Sequence, residues 1–408
     1  MNGKMVNEWV NSVKNEVIQW RRHLHQYPEL SYHEEKTSQF VYDLLCSFEN
    51  LEVSRPTKTS VMACLIGSQP GQVLAFRADM DALPITEETN LDFASRIPGV
   101  MHACGHDGHT AMLLGAAKIL SRLKDSVQGE IRFIFQHAEE VHPGGAKEMI
   151  QAGVLEGVDQ MIGVHLMPHI PVGKMGFTYG PATAYSDRFD IKIQGRGGHG
   201  SEPHKTIDPI AVGSQIITNL QHIVSRNTDP MDQLVISVTK FHGGDAYNVI
   251  PDTVSLGGTV RIFNPELHGQ VRGWMERVIK GVAEAHSAQY EFDYRYGYKS
   301  VLNDKRITKI MEDTVSESFG KDAVQLVPPM MGGEDFSAYS HEVPASFILV
   351  GAGNVKKGTN YPLHHPRLIL DEDALENGVR LFVAAAGKFV LQETNHEGAK
   401  EWAIMRSS

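Results

Sequence analysis

The side chains best suited to chemistry open in the run His102-Ala103-Cys104-Gly105-His106-Asp107-Gly108-His109, and metal-capable residues recur downstream. Glu139 and Glu140 stand in Gln-His-Ala-Glu-Glu, His165 ends Ile-Gly-Val-His, and His364 lies in Leu-His-His-Pro. Thiolate, imidazole and carboxylate together suit a borderline divalent ion such as zinc, and they outnumber what one ion needs. A two-metal hydrolytic centre is the chemistry they support. Adjacent glutamates fit it, because such a centre needs one carboxylate on the metal and another to take a proton from the attacking water. A solvated surface pair is the plainer alternative for them.

Each residue has a bland reading by itself. A lone cysteine is usually buried packing, but Cys104 precedes a helix in a glycine-bearing loop, where a thiolate is electrostatically favoured. With His106 two residues on, ligation outweighs packing. His102 and His109 are either donors behind the ligands or polar residues of the loop and helix start, the latter favoured for His102. Alone, His165 reads as a core histidine and His364 as a surface-loop residue. They gain weight only jointly.

Other motifs fail on their chemistry. His137 and His142 are five apart rather than four, with Pro143 following, so no zincin helix forms there. Gly195-Arg196-Gly197-Gly198-His199-Gly200 has dinucleotide-fingerprint spacing, yet Pro203 and Pro209 delay the next helix. No acid lies roughly 20 residues on to hold a ribose. Those glycines are expected to turn the backbone tightly and present His199 outward.

The elements that must position these residues follow from periodicity. Val6, Trp9, Val10, Val13 and Val17 mark an amphipathic first helix. Residues 73–79, 131–136 and 161–166 read as strands, and a helix with an apolar face (Met112, Leu113, Ala116, Ile119, Leu120, Leu123) follows the Cys-Gly-His loop. Strands alternating with helices predict an α/β domain on a central, largely parallel or mixed sheet flanked by helices, with ligands at the carboxyl ends of strands. Asp79, Glu139, Glu140 and His165 fall at such ends. Residues 184–298 read instead as β-α-β-β-α-β, an inserted ferredoxin-like domain. The expected division is 1–183 with 299–408 around 184–298. Residues 395–408 are polar and expected to fray.

Of 408 residues, 38 are basic and 49 acidic, a net −11 that disfavours nucleic acid and anionic membrane as partners. Three cysteines make no disulfide framework, and residues 1–20 read as no signal peptide. No run of ~18 apolar residues spans a membrane. A cytoplasmic protein is expected.

At these residues the chain resembles the zinc aminoacylase/carboxypeptidase family of metallohydrolases, and within it the N-acyl-amino-acid amidohydrolases, hippurate hydrolases and auxin-conjugate hydrolases. The resemblance rests on Arg22-His23-Leu24-His25-Gln26-Tyr27-Pro28-Glu29-Leu30, Arg77-Ala78-Asp79-Met80-Asp81-Ala82-Leu83-Pro84, Cys104 to His109, Gly197 to Gly200, Asn248-Val249-Ile250-Pro251 and Gly332-Gly333-Glu334-Asp335-Phe336. It implies a catalytic domain with an inserted lid and two divalent ions per subunit: zinc, manganese, cobalt or nickel. It implies Cys104, His106, Glu140, His165 and His364 as ligands, with Cys104 bridging where the wider family has aspartate. Asp79 stands where that family has a metal histidine. Glu139 is implied as general base and Asp81 as the acid that orients a metal-bound group, a strand-end cap being its alternative. His199 is implied to assist the oxyanion, often across a homodimer or higher homo-oligomer. Asn248 and Arg261, with Gly333 in the last motif, are implied to hold the substrate; a salt-bridged strand residue is the alternative for Arg261.

The activity so implied is hydrolysis of an N-acyl amino acid to a carboxylate and a free amino acid. Two alternatives stand beside it: a carboxypeptidase or dipeptidase using the same centre, and a non-catalytic binder of acyl amino acids, against which a base beside the metal argues.

Overall fold

Buried aliphatic and aromatic runs build the central sheet of the structure, a computed structural model describing residues 3–359 and 361–391. The sheet has eight strands in the order Glu52–Ser54, Val61–Ile66, Gln128–Gln136, Gln69–Asp79, Gln160–Pro171, Ala345–Gly353, Met175–Phe177 and Val324–Leu326. The four in the middle run parallel, and antiparallel pairings flank them, so the sheet is mixed. Helices including Gly3–Gln26, Glu35–Ser47, His106–Ser121 and Asp373–Phe389 cover it. The α/β reading with a mixed, helix-flanked sheet holds.

Register explains where chemistry can gather. Asp79 pairs with Gln136, and Arg77 pairs with Gly163, which brings His165 to the level of Asp79 at the carboxyl edge. The strand carrying His165 does not end at Leu166 as its apolar run suggests. It continues to Pro171 because it keeps pairing with Ala345–Gly353 after its other neighbour has left the sheet. His106–Ser121 also differs from expectation: it is buried on every side except at Lys118, between the first and last helices. A wholly enclosed helix needs no polar face.

The chain divides into two compact units. The first comprises Met1–Ala182, Val301–Pro328 and Asp335–Ser408; the second is Thr183–Ser300 with Pro329–Glu334. The second unit carries a four-stranded antiparallel sheet ordered Leu234–His242, Thr253–Ile262, Tyr185–Gln194, Gln289–Tyr298. Alternation along Tyr185–Gln194 is strict: Phe189, Ile191 and Ile193 enter a core shared with the helices Pro209–His222 and Pro265–Ala285, while Arg188 and Lys192 face water. Asp208 and Asn264 start these helices by accepting their first backbone N–H groups, each cap contributing about 1 kcal/mol. No helix among the described residues is long and apolar enough to cross a membrane. The fraying expected at 395–408 concerns residues outside those described.

Candidate metal centre

The ligand atoms of Cys104, His106 and His165 lie within 4.8 Å of one another, and so do those of Cys104, Glu140 and His364. Cys104 belongs to both sets. His106 and Glu140 also form a set with Glu139. One helix start, the turn after the strand Gln128–Gln136, the strand Gln160–Pro171 and the 364 loop therefore bring all five expected ligands and the expected base to one place. Gly105 makes the approach possible: its φ of 90° starts the helix so abruptly that Cys104 and His106 both face the sheet edge. At Gly108 a Cβ would fall 2.4 Å from Leu166 Cδ1, so only glycine lets the first helical turn seat against the strand of His165.

The hydrogen bonds leave the right atoms for a metal. His106 Nδ1 donates to Asp81, with 2.9 Å to its carbonyl and 3.2 Å to Oδ1, while the buried Nε2 has no hydrogen-bond partner. His165 Nδ1 donates to the Leu166 carbonyl, 2.9 Å, which turns the Nε2 lone pair toward Cys104 Sγ at 3.4 Å. Glu140 Oε1 is likewise buried without a hydrogen bond, 3.3 Å from His364 Nε2. Two imidazole nitrogens, a carboxylate oxygen and a sulfur converging on one place, with His106 Nε2 and Glu140 Oε1 lacking hydrogen-bond partners, fit divalent cations. Charge agrees. Burial, then Glu140, Glu139 and Asp79, push the Cys104 thiol far above its ordinary value. Burial opposes protonation of His106, yet Asp79, Asp81 and Glu140 raise it to about 10. Such an excess of negative charge attracts a cation, and a bound cation in turn holds the thiol as thiolate.

Asp79 and His109 are engaged elsewhere. His109 Nδ1 donates to Asp79 Oδ1, 2.6 Å, and its Nε2 accepts the Leu166 N–H, 2.8 Å, so both ring nitrogens are used. Asp79 Oδ2 accepts from Arg77 at 2.6 Å, and Arg77 also reaches Gln136 and Asp335. His102, favoured from sequence as a polar residue of the loop, is 2 % exposed, and burial lowers its pKa to about 4. Asp81 is not a simple strand cap either. It holds His106 through Oδ1, and through Oδ2 accepts the Glu140 N–H at 3.0 Å and the Ser31 hydroxyl at 2.7 Å.

The turn that presents Glu139 and Glu140 is strained. Ala138 has φ 50°, the left-handed region that costs a residue with a Cβ roughly 1–2 kcal/mol. Its N–H donates to buried Glu34 Oε1 at 2.8 Å, and its carbonyl accepts the Gly145 N–H at 2.9 Å. His364 also has a left-handed φ, 64°, and its N–H is tied to the Ala103 carbonyl at 2.7 Å.

The remaining expected residues lie in the second unit. His199 pairs with Val249 in a two-residue ladder, and the Gly200 N–H binds the Asn248 carbonyl at 2.7 Å, so His199 and Asn248 share one exposed tip. Arg261 is at the other end of the sheet, opposite Ser186. It is half-buried, and Nη1 reaches the Thr259 hydroxyl and the carbonyls of Asp187 and Val260 rather than a carboxylate. Gly333 is at that same end: a Cβ there would lie 2.5 Å from Ser186 Oγ.

Sequence reasoning gave no role to several residues that the site depends on. Arg77 and Asp335 pair at 2.8 Å beneath Asp79, and the signal was an arginine inside an apolar strand. Arg21 and His25 each bond Asp107 Oδ2 at 2.8 Å, bracing the residue beside His106. Glu34 had no signal beyond lying just past the Pro28-Glu29-Leu30 motif.

The family model for peptidase family M20/M25/M40 matches residues 75–388. An N-acyl-L-amino acid amidohydrolase of Geobacillus stearothermophilus is 62% identical over 303 residues, 74% of this chain and 82% of that protein. Thermostable carboxypeptidase 1 of Saccharolobus solfataricus is 40% identical over 390 residues, 95% and 98% of the two chains. Among solved structures, a dinuclear metal-binding peptidase of the M20 family from Bacillus subtilis aligns with a TM-score of 0.79 and 38% identity, covering 92% of this chain and 98% of that one. Similarity of this extent, joined to a double ligand set at the carboxyl edge of the sheet, makes the chain a metal-dependent hydrolase of peptidase family M20/M25/M40.

Proposed function

We propose that the protein is an amidohydrolase that cleaves N-acyl-L-amino acids to a carboxylate and a free amino acid. The observation that carries this reading is the sharing of Cys104 between two ligand sets with Glu139 beside them, supported by the activity for which the Geobacillus relative is named. Cys104, His106, Glu140, His165 and His364 hold two divalent ions. These supply Lewis acidity toward the amide carbonyl and lower the pKa of water. Glu139 takes a proton from the attacking water and returns it to the departing nitrogen, so that water adds across the amide and no other reactant is needed. Asp81 keeps the His106 ring oriented. Arg261 and Asn248 hold the substrate's α-carboxylate, the arginine fork matching it in shape, and Gly333 lets backbone approach the substrate closely. His199 donates to the developing oxyanion, a contribution of roughly 3–4 kcal/mol for a well-placed donor.

The second unit acts as a ferredoxin-like lid within a homodimer, in a reducing compartment such as the cytoplasm where Cys104 remains a thiol. Spacing within that unit supports the dimer. Ser186 and Gln194 are eight residues apart on one strand, about 26 Å, with Arg261 beside the first and the His199 tip beyond the second. One small substrate does not span that length, so the two ends serve sites in different subunits.

Glu139→Gln tests the reading directly. Turnover of N-acetyl-L-methionine should fall on the order of 10²–10⁴-fold with two equivalents of metal retained; undiminished turnover removes Glu139 from the reaction. A carboxypeptidase reading has the Saccharolobus relative's name in its favour. Comparing kcat/KM for N-acetyl and N-benzoyl amino acids with that for dipeptides separates the two.

A further inference from the structure

Glu139 sits between two backbone amides, each held by a different buried carboxylate. On one side Glu34 accepts the Ala138 N–H at 2.8 Å; on the other Asp81 accepts the Glu140 N–H at 3.0 Å. Asp81 is already committed to His106. Glu34 touches none of the ligand side chains. Its Oε1 also accepts the Tyr32 N–H at 2.9 Å, its Oε2 accepts the Thr59 hydroxyl at 2.9 Å, and the residue is fully buried. A buried carboxylate spending its oxygens on two amides and a hydroxyl, with no cation among its bonds in the described residues, is costly to keep. Something must require it.

Both amides belong to left-handed residues, Tyr32 (φ 67°) in its own segment and Ala138 (φ 50°) beside Glu139. The left-handed backbone of Ala138 reverses the chain between Gln136, the last residue of the strand, and Glu139. A residue with a Cβ leaves that conformation unless its amide and carbonyl are both fixed. The carbonyl is fixed by the Gly145 N–H and the amide by Glu34. Glu34 in turn belongs to a segment tied behind the centre, through the Ala82 N–H to the Glu29 carbonyl at 2.8 Å and the Ser31 hydroxyl to Asp81 at 2.7 Å. The N-terminal segment is thus joined to both sides of the turn.

We infer that Glu34 is a positioning residue for Glu139: its carboxylate holds Ala138 left-handed and so fixes the direction in which Glu139 leaves the chain. The inference rests on Glu139 being the base. Glu34 acts on placement of that group and not on metal binding, because the Glu140 amide and His106 are secured separately by Asp81.

Three substitutions test this. In Glu34→Gln the amide oxygen still accepts both N–H groups and the NH₂ donates to Thr59, so geometry is kept. Glu34→Asp keeps charge but shortens the side chain by one methylene and withdraws it from Ala138. Glu34→Ala removes the acceptor. With zinc-reconstituted protein and N-acetyl-L-methionine, kcat for Glu34→Gln should stay within about threefold of the parent. Glu34→Asp and Glu34→Ala should fall at least tenfold in kcat, with KM within about twofold. Zinc stoichiometry by elemental analysis should be unchanged, and deuterium uptake should rise in the peptide containing Ala138. If Glu34→Ala does not fold, the Asp and Gln variants decide between them. Equal kcat in those two, or loss of zinc in step with activity, overturns the inference. Glu139→Gln run alongside keeps the two ideas apart: if it stays active the base assignment fails, whereas an inactive Glu139→Gln with a fully active Glu34→Asp sinks only the role of Glu34.

Discussion

Cys104 offers its sulfur to two ligand groups, one with His106 and His165 and the other with Glu140 and His364. Cys104→Ala should therefore cost both ions, and elemental analysis should find well under one equivalent. Cys104→Asp puts a harder oxygen in the same place. It should keep binding two ions but shift preference from zinc toward manganese, by the match of hard cations to oxygen, as competition titrations would read. Asp81 is a different case, since it bonds His106 and the Glu140 amide and belongs to none of the ligand groups among the described residues. Removing its carboxylate takes the acceptor from the Glu140 amide and leaves the His106 ring held by the Asp81 carbonyl alone. Asp81→Ala should weaken metal affinity 10–100-fold, measured against a chelating indicator; an unchanged affinity would mean that the backbone carbonyl of residue 81 suffices to hold His106.

At the scale of elements, the site depends on how segments distant in the chain are pinned to one sheet edge. The helix His106–Ser121 arrives through Gly105 and Gly108, the strand of His165 through register, and the Glu139 turn through Glu34. Pinning by a buried carboxylate leaves a mark on stability. Burial first, and then Asp81, raise Glu34 from 4.5 to about 7. A carboxyl raised in the folded state binds its proton more tightly there than in the unfolded chain. Its contribution to stability is present below pH 4.5 and is lost as pH climbs through 7. The loss is about 3 kcal/mol at most. Urea unfolding of metal-free protein should show parent stability falling relative to Glu34→Gln between pH 4.5 and 7, and parallel curves would refute it. The charge brace of Arg21, His25 and Asp107 has the same sign at its histidine, over a higher pH range. Burial opposes it, but Asp107 raises the His25 pKa, so that contribution is present below 6.5 and is lost at higher pH.

For the whole molecule, the separation of Arg261 from the His199 tip has a consequence that mixing experiments can read. His199→Ala should be inactive, because every site lacks its oxyanion donor, and so should Glu139→Gln. Heterodimers of the two carry one complete site, formed by Glu139 of the first chain and His199 of the second. Refolding them together should restore roughly a quarter of parental activity or more, depending on how subunits redistribute. No recovery would place His199 in its own subunit's site. Zinc should also stabilise the fold, since two ions held by five residues from four separate stretches would bind the native state far better than the unfolded chain; Tm should rise with free zinc.

Residue chemistry was readable early. The Cys-Gly-His loop, the paired glutamates, His165 and His364 declared a dinuclear centre by type, and strand-helix alternation declared the sheet whose edge carries it. Which side chains can bind a metal follows from their chemistry; the set of five ligands was implied by the family resemblance. Selection among equals was not readable. Asp79 and His109 look as capable as His106, and only their hydrogen bonds to Arg77 and Leu166 withdraw them. That His102, a polar residue of the loop, is enclosed is decided by the fold. Glu34 lies over a hundred residues from the turn it holds, and a left-handed alanine leaves no trace in composition. Local pattern reports what a side chain can do. Whether its lone pairs are still available is decided by partners that only folding brings within 3 Å.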